Sequence, residues 1–450
     1  MFPIAIGKYV VFDMNIGIIV SLIIFLITFT LIVTEKVHRT TAALLGAMIM
    51  VSAGVALGFL NGFTPIQFIA ESIDFGTIGL LLGMMIFVSI FSKTGIFEWV
   101  AKQSIIRSRG KVWRLVIILS LISAILSAFL ANATIILLIA PLTIVVARHA
   151  NINPVPLVIS EAISSNIGGT ATLVGDPPNI MIGSAVGFSF NDFLFNLAPI
   201  TMLVLFVTLL FLLFYYRKEF SKTIKIENDL KIKSINGPLL AKSLAVFLFI
   251  VVLFVIHDSL HIDTAFVALF GAIILLFLSK LNPEEVMKEV EWSTLLFFAG
   301  LFVIVAGINY SGVISAVASE IIMFTGTGDA FNPYLTSTLV LWGSAAGSAI
   351  IDSVPVTATM IPILKSVGIS ALLSEPVLNN LFWALALATC LGGNATVIGT
   401  SANIVAAGIL EHSGYRVSFI DWLKVGLPVA IIDMVICTVY IIVKLKWIGV

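Results

Sequence analysis

Charge is scarce in this 450-residue chain: Asp, Glu, Lys and Arg together make 11% of it, against 60% hydrophobic residues. A soluble domain is about a quarter charged, so water is not the main solvent here. The 24 basic and 24 acidic residues cancel, which removes the basic balance that would point to a nucleic-acid partner and the acidic balance that would point to a cationic one. The two cysteines, Cys390 and Cys437, lie in separate apolar segments, so neither a disulfide framework nor a thiolate metal site is expected. The five histidines sit near the ends of apolar runs and lack the paired spacing of a membrane metalloprotease; no metal site, cofactor or enzyme active site is expected. Met1–Asp13 carries only Lys8 as a base, and the run at 14–34 is long enough to span a bilayer. It is therefore kept as a span and not read as a signal peptide.

Long apolar runs are what the chain has instead. Those at 14–34, 41–60, 77–97, 200–216, 239–256, 264–279, 294–310 and 427–443 read as plain spans. Polar or helix-breaking residues interrupt the regions 115–147, 156–185, 335–364 and 378–408. The first and third of these read as re-entrant hairpins, the second and fourth as broken helices. The long hydrophilic stretch 217–237, with Lys222, Lys225, Lys231 and Lys233, reads as a cytoplasmic linker between a first repeat, 1–216, and a second, 238–450.

The two halves echo each other in order. Asp74-Phe75-Gly76-Thr77 opens a span ending Thr94-Gly95-Ile96, and Glu291-Trp292-Ser293-Thr294 opens one ending Ser311-Gly312-Val313, an offset of 294 − 77 = 217. Gly168-Gly169-Thr170-Ala171-Thr172 through Gly175 is echoed by Gly392-Gly393-Asn394-Ala395-Thr396 through Gly399, with Asn179 matched by Asn403, an offset of 224. Ser189 to Pro199 is matched by Ser418 to Pro428 at 229. Loops 61–76, 184–195, 257–263 and 312–333 contain no Lys or Arg, whereas 101–114 holds Lys102, Arg107, Arg109, Lys111 and Arg114. Basic loops stay on the cytoplasmic side. With both termini outside and each hairpin entering and leaving on one side, the empty loops fall outside, and the repeats have opposite orientation. Lys365, Lys444 and Lys446 then end outside, against the rule.

Irregular backbone inside a membrane is tolerated only where protein or a water-filled cavity satisfies it. Gly168-Gly169 and Gly392-Gly393 read as such breaks, with glycine permitting left-handed backbone, and Gly175-Asp176-Pro177-Pro178 as a further one. The hairpins are expected to turn at Asn132-Ala133-Thr134 and Asp352-Ser353-Val354-Pro355. Each tip is followed nine positions on by proline, Pro141 after Asn132 and Pro362 after Ser353. Converging tips and breaks would place Asn132, Thr134, Asn166, Gly168, Gly169, Thr170, Thr172, Asp176 and Asn179 beside Asp352, Ser353, Thr357, Gly392, Gly393, Asn394, Thr396 and Asn403, forming a polar ion-binding chamber near the midplane. Small and hydroxyl residues also serve as packing surfaces between membrane helices. Carboxylates are more telling, since one inside a membrane segment costs about 2.5 to 3.5 kcal/mol or more. Glu161, Asp176 and Asp352 are therefore the candidate coupling residues; Asp433 lies in the final span, away from any break.

The run Ser165-Asn166-Ile167-Gly168-Gly169-Thr170-Ala171-Thr172-Leu173-Val174-Gly175-Asp176-Pro177-Pro178-Asn179 resembles the signature of the ArsB and P-protein branch of the ion transporter superfamily, with Glu161 where that branch carries an acid. Asn132-Ala133-Thr134 and Asp352-Ser353 are similar to the hairpin tips of the superfamily, which includes citrate transporters and divalent anion/sodium symporters. The sequence departs from the pattern at Ser353, where relatives often carry asparagine, and at Ala133, within a Ser-Asn-Thr pattern of the carboxylate symporters. The resemblance implies an elevator-like, homodimeric secondary transporter of the plasma membrane. Its cargo would be a small anion or metalloid oxyanion such as arsenite or antimonite, coupled to H+ or Na+. A citrate-like carboxylate, an amino acid, or sodium exchanged for protons remains open.

Overall fold

The computed structural model describes residues 8–34, 36–149, 152–223 and 235–449, with the side chains of 8–15, 149 and 329 left aside. Among the described residues every regular element is a helix, and nine helices are long and apolar enough to cross a membrane. The protein is thus an all-α, multi-pass membrane protein. Part of the expected linker, 224–234, lies outside the described residues; before it Arg217–Phe220 forms one short helix.

Local chemistry sets where the helices begin. The Asp74 carboxylate accepts from the Gly76 and Thr77 amides and so starts Phe75–Ser92. Ser189 with Asp192 and Ser418 with Asp421 form reciprocal capping boxes at the starts of Phe190–Asn196 and Phe419–Trp447. Gly95 (φ 79°) and Gly312 (φ 91°) adopt the left-handed conformation. They turn the chain out of the spans Phe75–Ser92 and Trp292–Tyr310 into the shorter helices Ile96–Ser108 and Val313–Thr325. Those two helices went unread in the sequence, although the glycines that start them were its first repeat anchors.

Matching contacts recur in the two halves of the chain. Val112–Ser127 packs along Val155–Gly169, and Pro333–Ile350 along Glu375–Gly392. A side chain at Gly168 would run into the backbone of Ala124, and one at Gly392 would stand 2.5 Å from Cα of Ala345. The spans, by contrast, pair across the halves: Phe75–Ser92 lies against Thr264–Ser279, and Trp292–Tyr310 against Arg39–Ala56. Gly83 admits the backbone of Ala268, and Gly300 that of Ala43, each too close for a Cβ, at 2.6 Å and 2.9 Å. Each half clasps a span of the other, so neither buries its apolar faces alone.

The breaks differ from the sequence reading in position and cause. The first helix runs through the glycine pair to Gly169, the chain unwinds over 170–175, and Pro177-Pro178 open the next helix, Pro177–Val186. One break takes the place of two. Proline lacks an N–H, but the first helical positions need none, so the pair that cannot continue a helix starts one instead. Likewise Glu375–Gly392 ends at the second pair, and Ser401–His412 resumes after it. None of Gly168, Gly169, Gly175, Gly392, Gly393 or Gly399 has positive φ; they serve close approach, not left-handed turns.

Candidate functional site

The first hairpin is Val112–Ser127 and Asn132–His149, joined over 128–131; the second is Pro333–Ile350 and Ser353–Ser370, joined at Ile351 and Asp352. Each tip is stitched to a break by a threonine: Thr172 Oγ1 donates to the Ala128 carbonyl, and Thr396 Oγ1 to that of Ala349. Each break is pinned by an asparagine. Asn179 Nδ2 donates to the carbonyls of Thr170 and Thr172 at 3.1 and 2.8 Å, and Asn403 Nδ2 to those of Gly393 and Thr396 at 3.1 and 2.9 Å. These bonds satisfy backbone that a membrane cannot.

Four asparagines join the halves. Asn132 Nδ2 donates to Asn166 Oδ1 at 3.0 Å, and Asn166 Nδ2 stands 2.8 Å from Asn394 Oδ1, 2.9 Å from Asn403 Oδ1 and 3.1 Å from Thr400 Oγ1. All are buried. Beside this network lies a cavity of about 390 Å³, whose lining includes Asn132, Ala133, Asp176, Ser353, Thr400 and Ser401, with Arg39 and Glu291. Asp176 occupies the capping position of Pro177–Val186, yet its side chain makes no capping bond and its Oδ2 has no partner. Its counterpart Thr400 does cap, accepting from the Asn403 amide at 3.3 Å.

Asp352 caps Ser353–Ser370 by accepting from the Val354 amide at 3.3 Å, with φ 137°. That backbone region costs a non-glycine residue about 1 to 3 kcal/mol. Arg39, from the start of Arg39–Ala56, reaches across to it: Nη1 is 3.9 Å from Asp352 Oδ2 and 3.3 Å from Ser401 Oγ, with the guanidinium over the Phe297 ring. Among the described residues Arg39 is the one guanidinium or ammonium of the lining, against Asp176, Glu291 and, through the ion pair, Asp352. Carboxylates therefore outnumber it.

Of the residues singled out in the sequence, the cavity gathers Asn132, Asp176 and Ser353, with Asn166, Asn394 and Asn403 behind it. The hydroxyls of Thr170, Thr172, Thr357 and Thr396 are spent on backbone carbonyls. Thr134 sits in the first turn of Asn132–His149, outside the cavity lining. Glu161 is buried against the first hairpin, with Thr143 Oγ1 donating to its Oε1 at 2.7 Å, and is not part of the lining. Arg39, Thr400, Ser401 and Glu291 were missed as site residues. Thr400 and Glu291 were visible only as counterparts of Asp176 and Asp74, and nothing in the sequence set Arg39 apart from a flanking positive charge.

A cavity walled by hairpin tips and broken helices from both halves, inside a multi-pass helical protein, defines the class: a membrane transporter. The model of the citrate transporter family matches residues 29–388, and the chain belongs to that family. It is 38% identical over 430 residues to a 46 kDa membrane protein of Mycobacterium leprae, covering 94% of this chain and 98% of that one. It is 34% identical over 493 residues to the P protein of Homo sapiens, covering 92% of this chain and 58% of the longer relative. The crystal structure of the Alcanivorax borkumensis YdaH transporter, described as having an unusual topology, superposes with a TM-score of 0.61 at 14% identity, over 92% of this chain and 98% of the other; that likeness concerns the fold.

Removing the side chains at the tips, in Asn132→Ala and Ser353→Ala, is expected to lower transport about tenfold or more while folded protein falls much less. Ser353 donates only to its neighbour Asp352, and the loss of a charge-linked hydrogen bond is worth about 1.5 to 3 kcal/mol. Uptake kinetics compared with the amount of folded protein check this; normal kinetics in both variants would remove the tips from the site.

Proposed function

We propose that this protein is a secondary active transporter of a small anion or metalloid oxyanion, of the arsenite or antimonite efflux kind, driven by a proton or sodium gradient. The observation that carries the reading is Asp176: a buried carboxylate with an unpartnered oxygen, in a cavity where elements of both halves converge. An uncompensated carboxylate in a membrane segment is costly. A proton or Na+ at Asp176 removes that cost and allows a negative cargo, or a neutral undissociated oxyacid, to enter. Cargo and coupling ion thus favour one another's binding, as symport requires. Symport of this kind drives uptake; efflux against an inward gradient requires antiport, in which the proton or sodium ion and the cargo occupy the cavity alternately. A citrate-like carboxylate is the second reading, favoured by the family and by Arg39, whose planar fork suits carboxylates.

Two inverted repeats, 1–216 and 238–450, form the machine in this reading. The contacts between loops support it, because each joins segments that the charge pattern assigns to one side. Lys93 pairs with Glu289 at 3.3 Å, the Asn236 amide donates to the Thr94 carbonyl and Arg148 to that of Ser413, all on the cytoplasmic side. On the outer side the Phe190 amide meets His257 Nε2 at 3.3 Å, and Asn191 Nδ2 donates to the Val255 carbonyl at 2.7 Å. Of the three exceptions to the charge rule, Lys365 and Lys444 are tied there to the Ala185 carbonyl and to Asn196 Oδ1. The cavity lining reaches Val37, His38 and Glu291, which lie on the cytoplasmic side in this topology. A homodimer in the plasma membrane, its hairpins and broken helices moving as an elevator past the clasped spans, completes the proposal.

Counterflow of arsenite, citrate and sodium in proteoliposomes of the purified protein tests it. Exchange of arsenite or citrate that responds to an imposed proton or sodium gradient is expected; exchange of none of the three would defeat the reading.

A further inference from the structure

Asp433 lies in Phe419–Trp447, away from the cavity lining, and is fully buried. Thr208 Oγ1, on Ala198–Tyr215, donates to its Oδ1 at 2.8 Å, while Oδ2 has no partner. The Asn394 carboxamide faces it. Asn394 Oδ1 accepts from Asn166 Nδ2, and the unpartnered Nδ2 of Asn394 is left facing Asp433. The hydrogen-bond line thus runs from Asn132 through Asn166 to Asn394 in a single donor-to-acceptor sense. A carboxyl faces each end, Asp176 at Asn132 and Asp433 at Asn394.

Among the described residues no ion pair reaches Asp433. Its helix packs against Ala198–Tyr215, Pro333–Ile350, Glu375–Gly392 and the 393–395 segment. Lys, Arg and His are absent from all of these. The titratable groups they carry are Tyr215, Tyr334 and Glu375, at the far ends of their helices, and Cys390, which faces Asn179. On its own helix the neighbouring titratable group is the Cys437 thiol, one turn on. The internal offset of 229 puts Val204 at the counterpart position (433 − 229 = 204), so the shared architecture does not require an acid there. A carboxylate without a cation and with one oxygen unpartnered is held in such a place only at a cost of several kcal/mol, or as the neutral acid.

We infer that Asp433 is a second proton-binding site, linked to the cavity through Asn394, Asn166 and Asn132. The inference rests on the transport reading for its role and on geometry for its existence. A proton taken up there converts carboxylate to carboxylic acid and removes the acceptor that Asn394 Nδ2 faces. Asn166 keeps its orientation, because its Nδ2 also donates to Asn403 Oδ1 and the Asn403 amide nitrogen is committed to the Gly393 and Thr396 carbonyls; what changes is the negative charge at the Asn394 end of the line. The protonation of a residue outside the cavity thereby changes the polarisation of the hydrogen-bond line that ends at Asn132 on the cavity wall.

Infrared titration of the full-length protein in lipid, with protons as the only probe, tests the site. The acid-minus-alkaline difference spectrum is expected to hold a protonated-carboxyl band that Asp433→Asn removes. Thr208→Val deletes a bond that favours the charged form, and is expected to move the midpoint of that band about one pH unit toward alkaline. The second variant decides the matter if the first does not fold. A band unchanged in intensity and midpoint in the variants that fold overturns the inference. Because no cargo is present, that result would leave the transport reading untouched, whereas unaltered coupling in Asp176→Asn would weaken the transport reading and leave Asp433 standing.

Discussion

Asp176→Asn is expected to keep folded protein in the membrane near the wild-type level and to abolish the dependence of transport on the driving gradient. Two roles compete for this carboxylate. As a helix cap it would be worth about 1 kcal/mol, and asparagine would replace it well. The structure removes that role, since the side chain makes no capping bond. As a coupling group it binds the driving cation, and its worth is the cost of leaving it bare, about 2.5 to 3.5 kcal/mol or more. At 1.4 kcal/mol per decade that is roughly a hundredfold in the ratio of loaded to empty carrier. Asparagine keeps the volume, carries no charge and binds no proton. Passive counterflow should therefore survive, while uphill accumulation driven by a gradient should not. Unchanged accumulation in Asp176→Asn would show the carboxylate to be structural.

The second large effect is on folding. In Gly168→Ala the added methyl has no room, because the backbone of Ala124 in the first hairpin occupies its place. A flexible neighbour could yield, but here two packed helices must separate. The expected loss is about 3 kcal/mol, at the upper end of overpacking costs, with the break and Asn166 displaced together. Gly408→Ala is the control: it lies within Ser401–His412 with nothing inside 4 Å of the new atom, and helix propensity favours alanine by up to about 1 kcal/mol. Thermal unfolding in detergent should show a lowered midpoint for the first and an unchanged or raised one for the second. Equal midpoints would mean that the helix and hairpin are not held at this contact.

What was legible in the sequence is what the architecture demands twice. Gly83 and Gly300, Gly168 and Gly392, Thr172 and Thr396, and Asn179 and Asn403 perform the same task in each half, and a task performed twice leaves a detectable repeat. The buried asparagines could be chosen for the same reason that they are expensive: amides are placed in a membrane interior only where partners exist. Backbone geometry was not legible. Gly-Gly reads equally as a left-handed break and as a place for another helix to approach, and only φ separates the two. Pro177-Pro178 reads as a stop because proline is barred from a helix interior, whereas the first turn, where the pair in fact sits, tolerates it. The threonines looked like ligands because nothing local shows that a carbonyl from a distant hairpin claims each hydroxyl. Arg39 was invisible for a simpler reason. An arginine just outside an apolar run is what the charge rule places there, and its meeting with Asp352, 313 positions on (352 − 39 = 313), depends wholly on tertiary packing.

The central claim of the proposal, two halves of opposite orientation, is tested most directly by single-cysteine labelling in intact cells with a membrane-impermeant thiol reagent. The native Cys390 and Cys437 are buried. Ser72 is half-buried and Thr327 exposed, in loops assigned to the outside; Arg107 and Ser221 are exposed, on segments assigned to the inside, whereas Ser108 is buried and unsuitable as a probe. Cysteines at Ser72 and Thr327 are expected to label in intact cells, and those at Arg107 and Ser221 only after the membrane is permeabilised. Labelling of Ser72 and Thr327 from opposite sides of the membrane would contradict the account.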